Sequence, residues 1–196
     1  WSVLDIFERV RARVPHATMH VGYDFERQHD LRKWHASALA EMMWDCRRRL
    51  AETPGVVSLG QLSPEQVLAE QMACQVHVWP SDPPNLGSQI HGLTQLECAA
   101  AGVPLVLSNI EAFPEVFGDG ATILPVPGAF RADLGRRIDA GDWAEVVIEL
   151  MTDERAWKRA SRKARALAER HTWDAVLDRW EGMLAGLARG AKEEAA

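Results

Sequence analysis

Gln75-Val76-His77-Val78-Trp79-Pro80-Ser81, then Gly92-Leu93-Thr94-Gln95-Leu96-Glu97-Cys98-Ala99-Ala100-Ala101-Gly102, then Val103-Pro104-Leu105-Val106-Leu107, is the stretch that decides the fold. A short apolar run closed by a proline reads as a buried strand. The segment 81–92 is rich in Pro, Gly, Ser and Asn and reads as a loop. Residues 93–101 have helical spacing and stop at a glycine, and 103–107 is a second apolar run. A strand, a helix and a strand within about 30 residues is the βαβ crossover of a parallel pair.

The same alternation extends in both directions. Upstream, Ser63-Pro64-Glu65-Gln66 starts a helix, with Ser as cap and Pro at the first helical position. Val56 to Leu59 reads as a strand before it, and residues 31–51 as a long helix stopped by Pro54-Gly55. Ala17 to Val21 reads as another strand. Val3, Ile6, Phe7, Val10 and Val14 mark an opening helix, with Ser2 and Asp5 as a capping box. Downstream, a short helix is expected near Pro114–Phe117 and a strand at 121–124. Three helices follow, at about 132–151, 153–170 and 172–188. Short apolar strands separated by helices predict an α/β fold: one Rossmann-like, doubly wound parallel sheet, helices on both faces, spanning 1–196 as a single domain. Such a domain normally opens with a strand, and this chain opens with a helix. A first strand is therefore expected upstream of Trp1.

Composition narrows the function. The chain has 196 residues, 47% of them hydrophobic and 26% charged, as in an ordinary globular protein. A net charge of −6 and the absence of a strongly basic segment argue against nucleic acid as partner. No apolar run approaches the roughly 20 residues of a membrane-spanning helix. Membrane association would rest only on parts outside this chain, and a cytoplasmic location is expected. Cys46, Cys74 and Cys98 are odd in number and form no CxxC pair, so reduced thiols are expected, not disulfides or a zinc site.

Parallel open sheets bind ligands at the carboxyl ends of their strands. The loop after 75–79 leads into a helix whose first N–H groups, at Leu93 and Thr94, have no helical partner and carry partial positive charge. A phosphate docks at such a place, and Gly92 would let it come close. Glu97, expected at the end of the first turn, can accept from both hydroxyls of a ribose. A glutamate near a helix start also complements the dipole with no ligand at all, and Gly and Ser are ordinary loop residues.

In this stretch the sequence resembles the retaining glycosyltransferases of family 4, with the two-domain GT-B architecture. Their C-terminal domain carries Pro-Ser after a strand, then Glu-x-Phe-Gly, four residues, Glu-Ala, and Ala-x-Gly-x-Pro-Val. Here Pro80-Ser81, Gln89-Ile90-His91-Gly92, Glu97-Cys98 and Ala100-Ala101-Gly102-Val103-Pro104-Leu105 stand in that order. Val57 to Glu65, Asn109 to Val116 with Gly118-Asp119-Gly120, and His171-Thr172-Trp173 with Trp180 resemble further segments, so the likeness spans nearly the whole chain.

The resemblance implies a sugar moved from a nucleoside diphosphate sugar to an acceptor with retention. It implies no bound cofactor and no metal, and no Asp-x-Asp motif stands at the cleft. By position, Glu97 corresponds to the ribose-holding glutamate, and Gly92, Leu93 and Thr94 to the backbone cradle of the donor diphosphate. Leu62 corresponds to the position whose main chain meets the base. Gln89 stands where a glutamate serves the donor sugar, and it and His91 are the catalytic candidates. An amide at Gln89 keeps hydrogen-bonding capacity and loses charge, and His91 replaces a phenylalanine. The implied partner is an N-terminal acceptor-binding domain of the same protein. The implied first strand is followed in the family by an arginine and a lysine that neutralise the diphosphate. This chain alone is expected to have little transferase activity. The alternatives are a degenerate, non-catalytic binding module of the same fold, or a different doubly wound protein. His77 is expected as a hydrogen-bonded core residue, and Trp157, Trp173 and Trp180 as core or domain-packing residues.

Overall fold

The computed structural model describes residues 2–22, 38–81, 92–110, 112–126 and 138–194. In chain order these form α1 (Ser2–Arg13), β1 (Met19–Val21), α2 (Ala38–Glu52), β2 (Val56–Ser58), α3 (Pro64–Ala73), β3 (His77–Trp79) and α4 (Leu93–Ala100). Next come β4 (Leu105–Ser108), α5 (Phe113–Phe117), β5 (Thr122–Leu124), α6 (Ala140–Thr152), α7 (Glu154–Glu169) and α8 (Trp173–Glu194). Every strand pairing is parallel, so the α/β alternation expected from the sequence holds.

β4 shows why. All four of its residues are buried. Val106 faces one core with Val10 of α1, Val14 just beyond it, and Trp143 and Val147 of α6. Leu105 and Leu107 face a second core with Cys98 and Ala99 of α4, Phe113 and Phe117 of α5 and Leu167 of α7. Side chains alternate across a strand, so a strand apolar at every position is one covered on both faces. β3 and β5 split in the same way: Val78 and Leu124 lie with α1 and α6, and Trp79 and Ile123 lie with α4 and α7.

Several local expectations are met. Ser63 caps α3 through a reciprocal box: its Oγ accepts from the Gln66 N–H at 3.3 Å, and Gln66 Oε1 accepts from the Ser63 N–H at 2.8 Å. Gly102, at φ +78, ends α4 in the left-handed conformation. Other expectations are corrected. Ser2 is the first residue of α1, not the residue preceding it as a cap would be, and it is buried. The expected strand at 103–107 is displaced toward the chain's end, because Val103 and Pro104 only lead into β4. The long helix expected over 31–51 is described from Ala38 onward; residues 23–37 lie outside the described residues.

The hydrogen-bonded sheet is in two pieces among the described residues: β1 with β2, and β3, β4 and β5 in that order. One continuous sheet was expected. The two pieces nevertheless share a core, since Met19 of β1 and Val56 of β2 pack on the same cluster as Val78, Val106 and Leu124.

The tryptophans do not behave as a group. Trp157 Nε1 donates to the Gln75 carbonyl at 2.8 Å and so ties α7 to the entry of β3. Trp173 and Trp180 are 79% and 55% exposed, so of the two roles expected for them, core or domain packing, the core of this chain is not one they fill. The residue that does fill the core is Trp143, 1% exposed. No described helix is long and apolar enough to cross a membrane.

Candidate functional site

The described residues expected to bind a donor follow the carboxyl ends of β2 and β3. Leu62 lies between the end of β2 and the cap of α3. Its Cδ1 would stand 3.3 Å from a side-chain carbon placed on Gly22, so the turns after β1 and β2 touch there. Gly92 opens α4 beyond the end of β3, at φ 48 and ψ 47.

That left-handed conformation alone favours glycine. Packing adds a second reason. A Cβ on Gly92 would lie 2.8 Å from Gln95 Oε1 and 3.1 Å from the Phe117 ring. The close approach expected of a ligand is thus already made by protein on the side where a Cβ would point. The outer side of the turn differs: Leu93 is 70% exposed and Thr94 is exposed too. Their N–H groups begin α4 at the surface.

Glu97 is the fifth residue of α4 and opens its second turn, not the first. It is about 6 Å along the axis from Leu93 at the usual rise. The dipole near a helix end acts mainly in the first turn, so the ligand-free explanation for this glutamate weakens. Glu97 is exposed, and its Oε2 accepts from Gln71 Nε2 at 2.8 Å. Gln71 is 7% exposed and belongs to the last turn of α3. The amide orients the carboxylate in the groove between α3 and α4, and Oε1 has no partner among the described residues. Sequence reading missed Gln71. Only its position on the face of α3 turned toward α4 could have singled it out, and that face is set by packing.

Gln95 was also missed. It is fully buried beneath Gly92, and neither its Oε1 nor its Nε2 has a partner. Gln89 and His91, the two catalytic candidates, lie outside the described residues. The structure therefore brings Gly92, Leu93, Thr94 and Glu97 together on α4, with Leu62 at the head of α3.

Charge and thiol chemistry complete the picture. His77 is partly buried on β3, with its Nε2 out of reach of solvent; it is ring-stacked on Trp79 at 6.1 Å, and desolvation lowers its pKa to about 4. Its Nε2 has no partner, which corrects the expectation of a hydrogen-bonded imidazole. Burial raises the pKa of all three cysteines, Cys98 to about 12, so their thiols stay protonated and are poor nucleophiles. All three are free. Among the described residues no group of three or more His, Cys, Asp or Glu is placed to hold a metal.

Comparison with known proteins follows the same lines. Residues 3–153 match the family described as "Glycosyl transferases group 1". The chain superposes on sucrose-phosphate synthase from Thermosynechococcus elongatus with a TM-score of 0.63 at 16% identity, covering 95% of this chain and 42% of that one. It superposes on a structure described as the GtfA/B complex with a TM-score of 0.67 at 18% identity, covering 94% of this chain and 32% of that one. The chain thus spans less than half the length of either, and the likeness is one of fold. No curated protein matches the sequence. The family match covers well over half of the chain and agrees with the α/β architecture, and the protein belongs to the group 1 glycosyl transferases.

Proposed function

We propose that this chain is the donor-binding half of a retaining, family 4 type glycosyltransferase that moves a sugar from a nucleoside diphosphate sugar to an acceptor. The observation that carries the reading is Glu97, held by Gln71 at the surface one turn below the Gly92 cap, with one carboxylate oxygen unengaged. A carboxylate so placed accepts from ribose hydroxyls while the N–H groups of Leu93 and Thr94 meet the diphosphate. By resemblance, the main chain at Leu62, at the head of α3, would meet the base. Negative charge develops on the departing diphosphate, and fixed N–H dipoles at a helix start stabilise it with no reorganisation during the step.

By resemblance, Gln89 and His91 serve the donor sugar. The remaining wall of the cleft is an N-terminal acceptor-binding domain of the same protein, and the basic pair follows the first strand that the resemblance implies. The chain alone then turns over little or nothing, and the protein works on the cytoplasmic side without a bound metal or cofactor.

Calorimetric titration of the full-length protein with UDP, GDP and ADP tests this. One of the three binds, and Glu97→Ala weakens it at least about tenfold, the effect of losing a charge-assisted hydrogen bond. Gln71→Ala, which frees the carboxylate to swing, weakens it less. Binding indifferent to Glu97→Ala sinks the assignment of the site.

A second reading is a degenerate module of the same fold. Two observations favour it: Gln89 stands in place of a glutamate, and the contacts of Gln95 and Phe117 explain Gly92 without a ligand. Failure of every nucleotide to bind selects it.

A further inference from the structure

We infer that Gln71 is a specificity-determining residue of the nucleotide site. It occupies one oxygen of the Glu97 carboxylate and leaves the other to the ribose. The site then reads a single ribose hydroxyl and admits a nucleoside diphosphate that lacks the second. The inference rests on the reading of Glu97 proposed above, and it names the class of nucleotide that the same site accepts.

An ionised carboxylate has two acceptor oxygens and nothing to donate. Ribose offers two neighbouring hydroxyls, so an unencumbered carboxylate can meet one hydroxyl with each oxygen. Glu97 is not unencumbered. Its Oε2 accepts from Gln71 Nε2 at 2.8 Å. A glutamine amide can be turned either way, but only its nitrogen carries hydrogens to give to a carboxylate. The chemistry of Glu97 therefore fixes which end of the amide faces it.

Gln71 is held in that place. It is 7% exposed and belongs to the last turn of α3. That turn is fastened on the side away from α4 as well: Glu70 Oε2 meets His20 Nδ1 of β1 at 2.6 Å. Just past the helix, the Cys74 thiol donates to the Val76 carbonyl at 3.2 Å. A ribose hydroxyl that displaced the amide from Oε2 would leave a buried NH2 group without a partner, which is unfavourable. A hydroxyl that arrives at Oε1 of the exposed Glu97 replaces only solvent.

The neutrality of Gln71 matters too. Among the described residues Glu97 makes no ion pair. A lysine or arginine in Gln71's place would neutralise the carboxylate. An amide orients it and leaves its charge to strengthen the one hydrogen bond that remains to be made. Glu97 also stands one turn beyond Leu93 on the same strip of α4. The open oxygen therefore belongs to the same face as the N–H groups that would meet the diphosphate. Loss of the hydroxyl at Oε1 removes a charge-assisted bond, whereas loss of the other hydroxyl removes no contact with Glu97.

The test titrates the full-length protein with whichever of UDP, GDP and ADP binds, and with the 2′-deoxy and 3′-deoxy forms of that nucleotide. One deoxy form is expected to bind at least about tenfold more weakly than the parent, and the other within about threefold of it. Gln71→Met keeps the length of the side chain and removes the donor, which releases Oε2 to the second hydroxyl. In that variant the form tolerated by the native protein is expected to fall about tenfold behind the parent as well. Each comparison is a ratio within one protein, so any loss of folded protein cancels. The native ratios stand whether or not the variant folds. A merely structural Gln71 would lower all three affinities together and leave the ratios alone. Equal behaviour of the two deoxy forms in the native protein overturns the inference, and so do ratios unmoved by Gln71→Met. Both of those results leave the nucleotide site standing. Failure of every nucleotide to bind, or binding indifferent to Glu97→Ala, removes the site itself and this inference with it.

Discussion

The β3–β4–β5 half of the sheet and the β1–β2 half are built from the same kind of unit, a short apolar strand and a crossover helix, yet they end in different states. In the first, β4 is buried at every residue and flanked by two cores. In the second, β2 has one partly buried and two exposed residues, and β1 leaves His20 exposed. The difference lies in neighbours. Among the described residues β4 has a strand on each side and helices on each face, whereas β1 has a strand on one side only. Burial belongs to a position in the sheet, and a strand's own residues can only be compatible with it.

The largest effect expected from this contrast is a paired substitution. Leu107→Ala in β4 empties a site with no exposed surface and is expected to cost about 2–5 kcal/mol. Val57→Ala in β2, where the residue is 37% exposed, is expected to cost less than about 0.5 kcal/mol. Urea unfolding of the two variants measures both, and equal losses would erase the distinction between the halves.

Acid probes the boundary between them. His77 on β3 stays neutral in the fold down to about pH 4, while the unfolded chain takes up the proton near 6.5. Its folded pKa is depressed, so the fold is unpenalised above 6.5 and loses stability as the pH falls from there toward 4. The loss approaches about 3 kcal/mol over that window. Urea midpoints taken from pH 7.5 to 4 should fall more steeply for the native chain than for His77→Phe. Identical slopes would show that the imidazole is not sealed off.

The smallest effect concerns the element that spans both halves. Ser63→Ala removes the side-chain half of the α3 capping box and is expected to cost about 1 kcal/mol. Because α3 carries Glu70 toward β1 and Gln71 toward α4, loosened capping should also speed amide exchange in its first turn. Thermal unfolding with local exchange checks this. An unchanged melting temperature would mean that tertiary contacts alone hold the helix start.

Much of this was legible beforehand. Periodicity showed the order of the described strands and helices, because alternation and 3.6-residue spacing are written in the order of apolar residues; bounds were less legible, since the helix expected from 132 begins at Ala140, after the Asp139 cap, and the last helix runs on to Glu194. Pro64 after Ser63 marked a helix start that the structure keeps. On α4, Gly92, Leu93, Thr94 and Glu97 were singled out from a glycine followed by a helix. What could not be read was the company they keep. Gln71 holds Glu97 only because α3 and α4 lie side by side, and Phe117 closes on Gly92 from 25 residues away. Trp173 and Trp180 show the converse. An apolar stripe predicts an amphipathic helix, but nothing in a stripe says whether another surface meets it.

Sequence alone determined the alternation of strands and helices, the parallel character of the sheet and the positions of the turns, since each depends on local stereochemistry and on spacing along the chain. Tertiary structure decided the division of the described sheet into two pieces, the desolvation of His77 and the orientation of Glu97. Each of these depends on which distant segments pack together and which backbone groups they leave unpaired, and no local pattern encodes that.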